Sequence, residues 1–596
     1  MRNFFKYAFA SAVGTLASLI LLLSLLSVGA GSLILFLFST ASGDTGPKIE
    51  DKSILSFDLS IDMTDSAPLN GVDWFLSPEP VMSLRTVLDC LEAAAKDDRI
   101  VGLYLHGHTK AGLATLKEIR DALEKFKATG KPITAYEVNW SERDYYLASV
   151  ADRVLINPLG TLEFNGFRAE TTFFAGALEK YGVGVQVLKA GRYKSAVEPF
   201  VQTQSSPENR EQIQALLADL WNEFLTATGT SRDIKPQELQ AIADNNGLLR
   251  AKQAEELELV DEITYFDQVL DDLKDLTESD EEEPSFQQAT LPQYAAMVAS
   301  DRAVEQTEQT VAVVYAEGEI VPGRGEFDQV GGDKFAKILR ELRLDDTVKA
   351  VVLRVNSPGG SATASEVIMR EVLLTRKQKP VVVSMGTAAA SGGYLISMQA
   401  DQIFASPSTI TGSIGVFGLL LNVQEIANQN GITWDIVKTG RYADITTLTR
   451  PSTQQELALQ QQVVDEIYDR FVKTVAESRD LPQQRVAQIA EGRVWSGLDA
   501  QQLGLVDNLG GLTAAIQAAA DQADLEEEDW QVEEYPKPPS LEELILGGLF
   551  NSPLQTKSDH PLASDFQKLR SGLEILKSLN DPQGIYTRLP LSTWID

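Results

Sequence analysis

Two short runs hold the side chains best suited to chemistry in this 596-residue chain: a serine among small residues in GTAAASGGYLISMQA, and a lysine in GRYKSAVEPF. Ser391 follows the strand-like PVVVSM and precedes a helical pattern, so it stands where a strand ends and a helix begins. A helix N-terminus offers unpaired N–H groups and positive potential, which suits a developing oxyanion. Gly392 and Gly393 remove side chains that would block a substrate carbonyl. Upstream, AVVLRV ends in NSPGGSATASE, where Gly359 and Gly360 can turn backbone N–H groups in directions other residues resist. Ser391 is therefore the candidate nucleophile, with oxyanion donors expected at Gly359, Gly360 and Gly392. Taken alone, the serine reads equally as a helix N-cap and the glycine pair as a tight turn.

A serine nucleophile needs a base, and histidine is nearly absent: only His106, His108 and His560 occur. The Gly-x-Ser-x-Gly elbow fails because position 389 is alanine. His106 and His108 lie two apart on one strand face, but no third ligand accompanies them, so they read as polar strand-end residues rather than a metal pair. Cys90 is the single cysteine, which excludes an intramolecular disulfide framework and a thiolate cluster. No metal or cofactor is called for. A neutral lysine can take histidine's place if burial lowers its pKa. Lys194 follows the apolar VGVQVL and sits beside Tyr193, Ala196, Val197 and Phe200. By itself it reads also as an exposed loop lysine paired with Glu198.

An internal repeat changes that balance. YYLASVADRVLINPLGTLEFNGF matches YLISMQADQIFASPSTITGSIGVFG, with Asp152 facing Asp401, Pro158 facing Pro407 and Gly182 facing Gly431. Gly191, Arg192 and Tyr193 face Gly440, Arg441 and Tyr442 at the same offset. Further matches join Ser231, Arg232 and Asp233 to Ser478, Arg479 and Asp480, and Leu259, Val260 and Asp261 to Leu505, Val506 and Asp507. At the constant offset Lys194 falls on Ala443 and Ser391 on Glu142. One copy has the lysine without the serine, the other the serine without the lysine. Two readings follow: independent drift of two structural repeats, or one composite site at their interface, each copy having lost the half it no longer supplies.

The elements that must position these residues alternate. Runs such as VGLYLH and AVVLRV, PITAY and PVVVSM, RVLI and QIFA are separated by helical patterns like ASEVIMREVLLTRK, which argues for an α/β fold with parallel sheets. The expected units are a cytoplasmic N-terminus and membrane anchor (1–44), a first repeat (45–275), an acidic linker (276–308), a second repeat (309–525) and a C-terminal tail (526–596). The anchor is expected because no charge interrupts the chain between Lys6 and Asp44, long enough for a hydrocarbon core of roughly 30 Å. A cleaved signal peptide, suggested by Gly29, Ala30 and Gly31, fits less well because the apolar run continues through Phe38. Arg2 and Lys6 before the segment leave the N-terminus cytoplasmic and the body outside. The net charge of −33 disfavours nucleic acid as a partner.

The strings NSPGGS, AASGGYLIS, STITGSIGVFG and GRYKSAVEPF, in two tandem copies behind an apolar N-terminus, resemble the long, duplicated form of the signal peptide peptidase A (protease IV) family. The resemblance covers roughly residues 1 to 525. It implies two Clp-protease/crotonase-like repeats behind a transmembrane helix, and a homotetramer. It also implies a Ser/Lys dyad carried onto Ser391 and Lys194, with remnant signal peptides and other apolar peptides as substrates. The expected location is the inner (plasma) membrane, single-pass with the body extracytoplasmic, or the thylakoid membrane. Two rivals stand beside it: a crotonase-type acyl-CoA enzyme, disfavoured by the extracytoplasmic placement and the acidic charge, and a non-catalytic membrane scaffold.

Overall fold

The computed structural model describes residues 49–66, 81–280, 282–302, 307–326, 328–526, 529–537, 584–589 and 594–595. The apolar segment expected to span the membrane lies outside them, as does His560. Among the described residues no helix is long and apolar enough to cross a membrane.

Near-continuous aliphatic runs give parallel strands buried on both faces. Val348–Ser357 and Val381–Ala390 are the longest of these, and each is buried along most of its length. The first parallel sheet runs, in spatial order, Glu262–Ile263, Arg153–Ile156, Ile133–Glu137, Ile100–His106, Ser53–Asp58 and Gln288–Thr290. The second repeats this order with Asn508–Leu509, Gln402–Ala405, Val381–Ala390, Val348–Ser357, Gln309–Glu317 and Trp530–Tyr535. Helices cover both, and each sheet has its own large apolar core.

The residues that match between the repeats do the same work in each. Asp152 and Asp401 accept the backbone N–H of Ile133 and Val381, the first residues of equivalent strands. Tyr145 and Tyr394 are fully buried and donate their hydroxyls to the carbonyls of Leu259 and Leu505. Arg232 pairs with Asp261, and Arg479 with Asp507. The buried tyrosine hydroxyls would be left unsatisfied without these carbonyls, whereas the two ion pairs lie at the surface.

Two segments carry more structure than composition suggested. Within residues 276–308, expected to be an acidic linker, Gln288–Thr290 pairs in parallel with Ser53–Asp58, and the helix Leu291–Arg302 buries Leu291 and Tyr294 completely. Within the tail, Trp530–Tyr535 adds an edge strand to the second sheet, and Ile585–Arg588 joins a third sheet described below.

The two copies are fastened through charge as well as apolar contact. Arg354 of the second repeat is fully buried and meets two carboxylates of the first half of the chain, Asp65 Oδ1 at 2.7 Å and Glu118 Oε1 at 2.8 Å. Glu118 also accepts the N–H of Leu512 at 2.6 Å. Burial pushes the Glu118 carboxyl up, while the guanidinium opposes that shift.

Candidate active site

The third sheet positions the site. Gly184–Ala190, from the first repeat, runs antiparallel to Val416–Asn422 of the second, from Gly184 opposite Asn422 to Ala190 opposite Val416. The chain leaving Ala190 turns at Gly191, φ +110°, where a Cβ would come within 2.5 Å of the Glu491 carbonyl. Tyr193 N–H then donates to that carbonyl at 2.8 Å. Close approach continues at Gly492, where a Cβ would meet Lys194 Cβ at 2.6 Å. A first-repeat lysine is thereby driven into the second repeat.

Its partner is set by the strand Val381–Ala390, which ends on Ser391 before the short helix Gly392–Ser397. Ser391 has φ 57° and ψ −109°, a conformation rare for any residue but glycine, as at other strand-to-helix serine turns that project a hydroxyl. The strain is held by its N–H bond to the Gly412 carbonyl at 2.8 Å.

Lys194 Nζ lies 2.7 Å from Ser391 Oγ. Its other partners are Ser413 O at 3.1 Å and Ser413 Oγ at 3.0 Å. Lys194 and Ser391 are each 0 % exposed, and the three oxygens around the amine are all neutral. Burial therefore holds the lysine well below its usual range. A neutral amine has two N–H donors and one lone pair. The Ser391 hydroxyl and both Ser413 oxygens thus surround Nζ within hydrogen-bond reach. The alternative ion pair with Glu198 does not form: that carboxylate accepts from Ser206 N and Oγ at 3.1 and 2.6 Å.

The three glycines converge on the same place. Ideal Cβ atoms at Gly359 and Gly392 would come within 2.2 and 3.0 Å of one oxygen, the carbonyl of Thr587. Gly360 stands opposite Thr587 in the strand ladder. The Gly359 N–H is occupied by Ser357 Oγ at 3.1 Å. The two described histidines lie elsewhere: His106 Nε2 is 3.2 Å from Ser56 Oγ, and His108 Nδ1 is 2.9 Å from Asp144 Oδ2, whose carboxylate raises the imidazole pKa.

Known proteins resemble this chain over most of its length. The model of "Peptidase family S49" matches residues 125–280 and 374–526. Protease 4 of Salmonella typhi is 36% identical over 523 residues, covering 85% of this chain and 83% of that protein. The chain belongs to peptidase family S49. Protease 4 of Haemophilus influenzae is 34% identical, covering 84% of each chain, and the chloroplastic serine protease SPPA of Arabidopsis thaliana is 30% identical over 74% of this chain and 66% of that one. A Clp protease model matches residues 303–410. The S49 chain is thus a serine peptidase with a Clp-protease-like α/β fold in tandem repeats.

In this S49 protein the position of the first repeat that matches Ser391 carries a structural carboxylate. Glu142 is buried and accepts the N–H groups of Asn165 and Gly166 at 2.5 and 2.7 Å. Desolvation raises its pKa against those bonds. Among the site residues, Ser413 was not expected from sequence. Its only signal there was its place in the repeated STITGSIGVFG string.

Proposed function

We propose that this chain is a membrane-anchored serine endopeptidase in which Ser391 attacks the peptide carbonyl and Lys194 is the general base. The observation that carries the reading is the 2.7 Å contact between Lys194 Nζ and Ser391 Oγ in a fully buried site with neutral partners. In the first half-reaction the lysine lone pair takes the Ser391 proton as the oxygen bonds to the carbonyl carbon, and the ammonium then protonates the leaving amine. Water, deprotonated by the same lysine, releases the acyl group and restores the serine. Backbone N–H groups among Gly359, Gly360 and Gly392 stabilise the oxyanion, with Gly360 and Gly392 better disposed because the Gly359 donor is occupied.

The substrates in this reading are cleaved signal peptides and other apolar peptides. The match of the site strings to signal peptide peptidase A supports that class, as does the apolar character of the strands beside the site. The N-terminal apolar segment would hold the body on the extracytoplasmic side of an inner or thylakoid membrane, and assembly as a homotetramer completes the proposal. The test is covalent labelling by a fluorophosphonate. Peptide mapping should find the adduct on Ser391, and Lys194→Met should lose both the adduct and peptide hydrolysis while keeping its circular dichroism. An unlabelled Ser391, or hydrolysis retained without Lys194, would sink the assignment.

A further inference from the structure

A fully buried nucleophile cannot meet a substrate, and Ser391 is 0 % exposed. The Thr587 carbonyl borders it, 3.0 Å from an ideal Cβ on Gly392, the next residue. Ile585–Arg588 lies between two strands of the second repeat, antiparallel to Gly359–Ser361 on one side and to Val416–Asn422 on the other. This is how an extended peptide is taken up by strand addition, with backbone bonds on its edges and pockets for alternate side chains.

We propose that Ile585–Arg588 is an internal occupant of the peptide cleft, a pseudosubstrate that must leave before a substrate enters. The inference rests on the Ser391/Lys194 reading. The register supports it. Leu589 N–H donates to the Pro358 carbonyl at 2.6 Å. Hydrogen-bonded pairs in an antiparallel ladder recur at every second residue, so Gly360 and Thr587 form the next one. That pair sets the Thr587 carbonyl against all three glycines expected to serve an oxyanion. Side chains on either side of it are accommodated as well. Ile585 packs with Leu188, Ala362 and Val416, and Tyr586 with Phe417 and Leu419, so successive residues enter separate apolar clusters. Arg588 ends the strand on Glu319 at 2.6 Å. The same pockets would then select an aliphatic and an aromatic residue followed by a small one in a substrate.

The experiment compares rates of fluorophosphonate labelling at Ser391 in the full chain and two full-length variants. Thr587→Pro removes the N–H that faces Gly360, and Arg588→Glu sets like charges together at Glu319. Both should label at least about tenfold faster than the unaltered chain, as expected where the open cleft is a tenth or less of the population. The synthetic peptide Gly-Ile-Tyr-Thr-Arg-Leu, added in trans, should slow the Thr587→Pro variant again. Equal rates in all three chains would overturn the occlusion and leave the nucleophile assignment standing. Absence of labelling in every chain would remove the Ser391/Lys194 reading, and this inference with it.

Discussion

Raising the pH separates a buried lysine base from an exposed one. A lysine with an ordinary pKa of about 10.4 gains neutral form tenfold per unit, so a reaction driven by it would accelerate nearly a thousandfold between about pH 7 and 10. Lys194 is 0 % exposed, has no charged partner and is held well below that range by desolvation. Labelling of Ser391 should therefore rise tenfold per unit only until the depressed pKa is passed, and then level off. The total gain falls far short of a thousandfold. The assay is the second-order labelling rate in a pH series on the Thr587→Pro chain, so that opening of the cleft does not limit it. Lys194→Met should lower the plateau by about 10²- to 10⁴-fold and remove the rising limb. The same shift has a sign for stability. Below the depressed value both folded and unfolded chains hold the proton and the burial cost is fully present. Between it and about 10.4 only the unfolded chain binds the proton, so stability rises with pH, by at most about 1.4 kcal/mol per unit relative to Lys194→Met. A log-linear rise continuing through pH 10, or a limb that survives in Lys194→Met, would refute the argument.

Ser413→Ala removes one of the two acceptors that orient the amine, 3.0 Å from Nζ. The loss of one such bond, about 0.5–1.5 kcal/mol, should slow labelling up to roughly tenfold while leaving the pH limb in place. An unchanged rate would show that Ser413 does not position the base. Arg354→Met leaves Asp65 and Glu118 buried without their cation. Denaturant unfolding should show a loss of about 3–5 kcal/mol, and an unshifted midpoint would mean that the two carboxylates find other partners or protonate at little cost.

How far sequence reaches can be judged from particular residues. The pairing of Lys194 with Ser391 was legible because the two repeats diverge in complementary places, and neither residue was distinctive alone. The parallel sheets were legible from aliphatic runs too short and too β-branched for helices. The segment 288–302 was missed because the neighbouring acidic run dominated its composition. A local signal was present in Thr290 followed by Gln293, and the glutamine side chain does accept the Thr290 N–H at 3.1 Å. Ile585–Arg588 had no comparable mark. Four residues are too few for a periodicity, and what holds them is a pair of strands more than 160 residues earlier in the chain. Ser413 was hidden for a related reason: its role depends on a lysine that arrives from the other repeat.

Because the strand Gly184–Ala190 must zip onto Val416–Asn422 before Lys194 can reach its serine, the order of synthesis bears on when activity can begin. Translation delivers the lysine first, and domains generally fold from the N-terminus as they emerge. On the proposed mechanism the first repeat alone lacks the nucleophile, since Glu142, which accepts the N–H of Asn165, stands where the serine would. Hydrolysis by that mechanism becomes possible only after the second repeat has been made and docked. On that reading a half-made chain holds no weapon against itself or its neighbours, and the strand across the finished cleft is synthesised after both halves of the site.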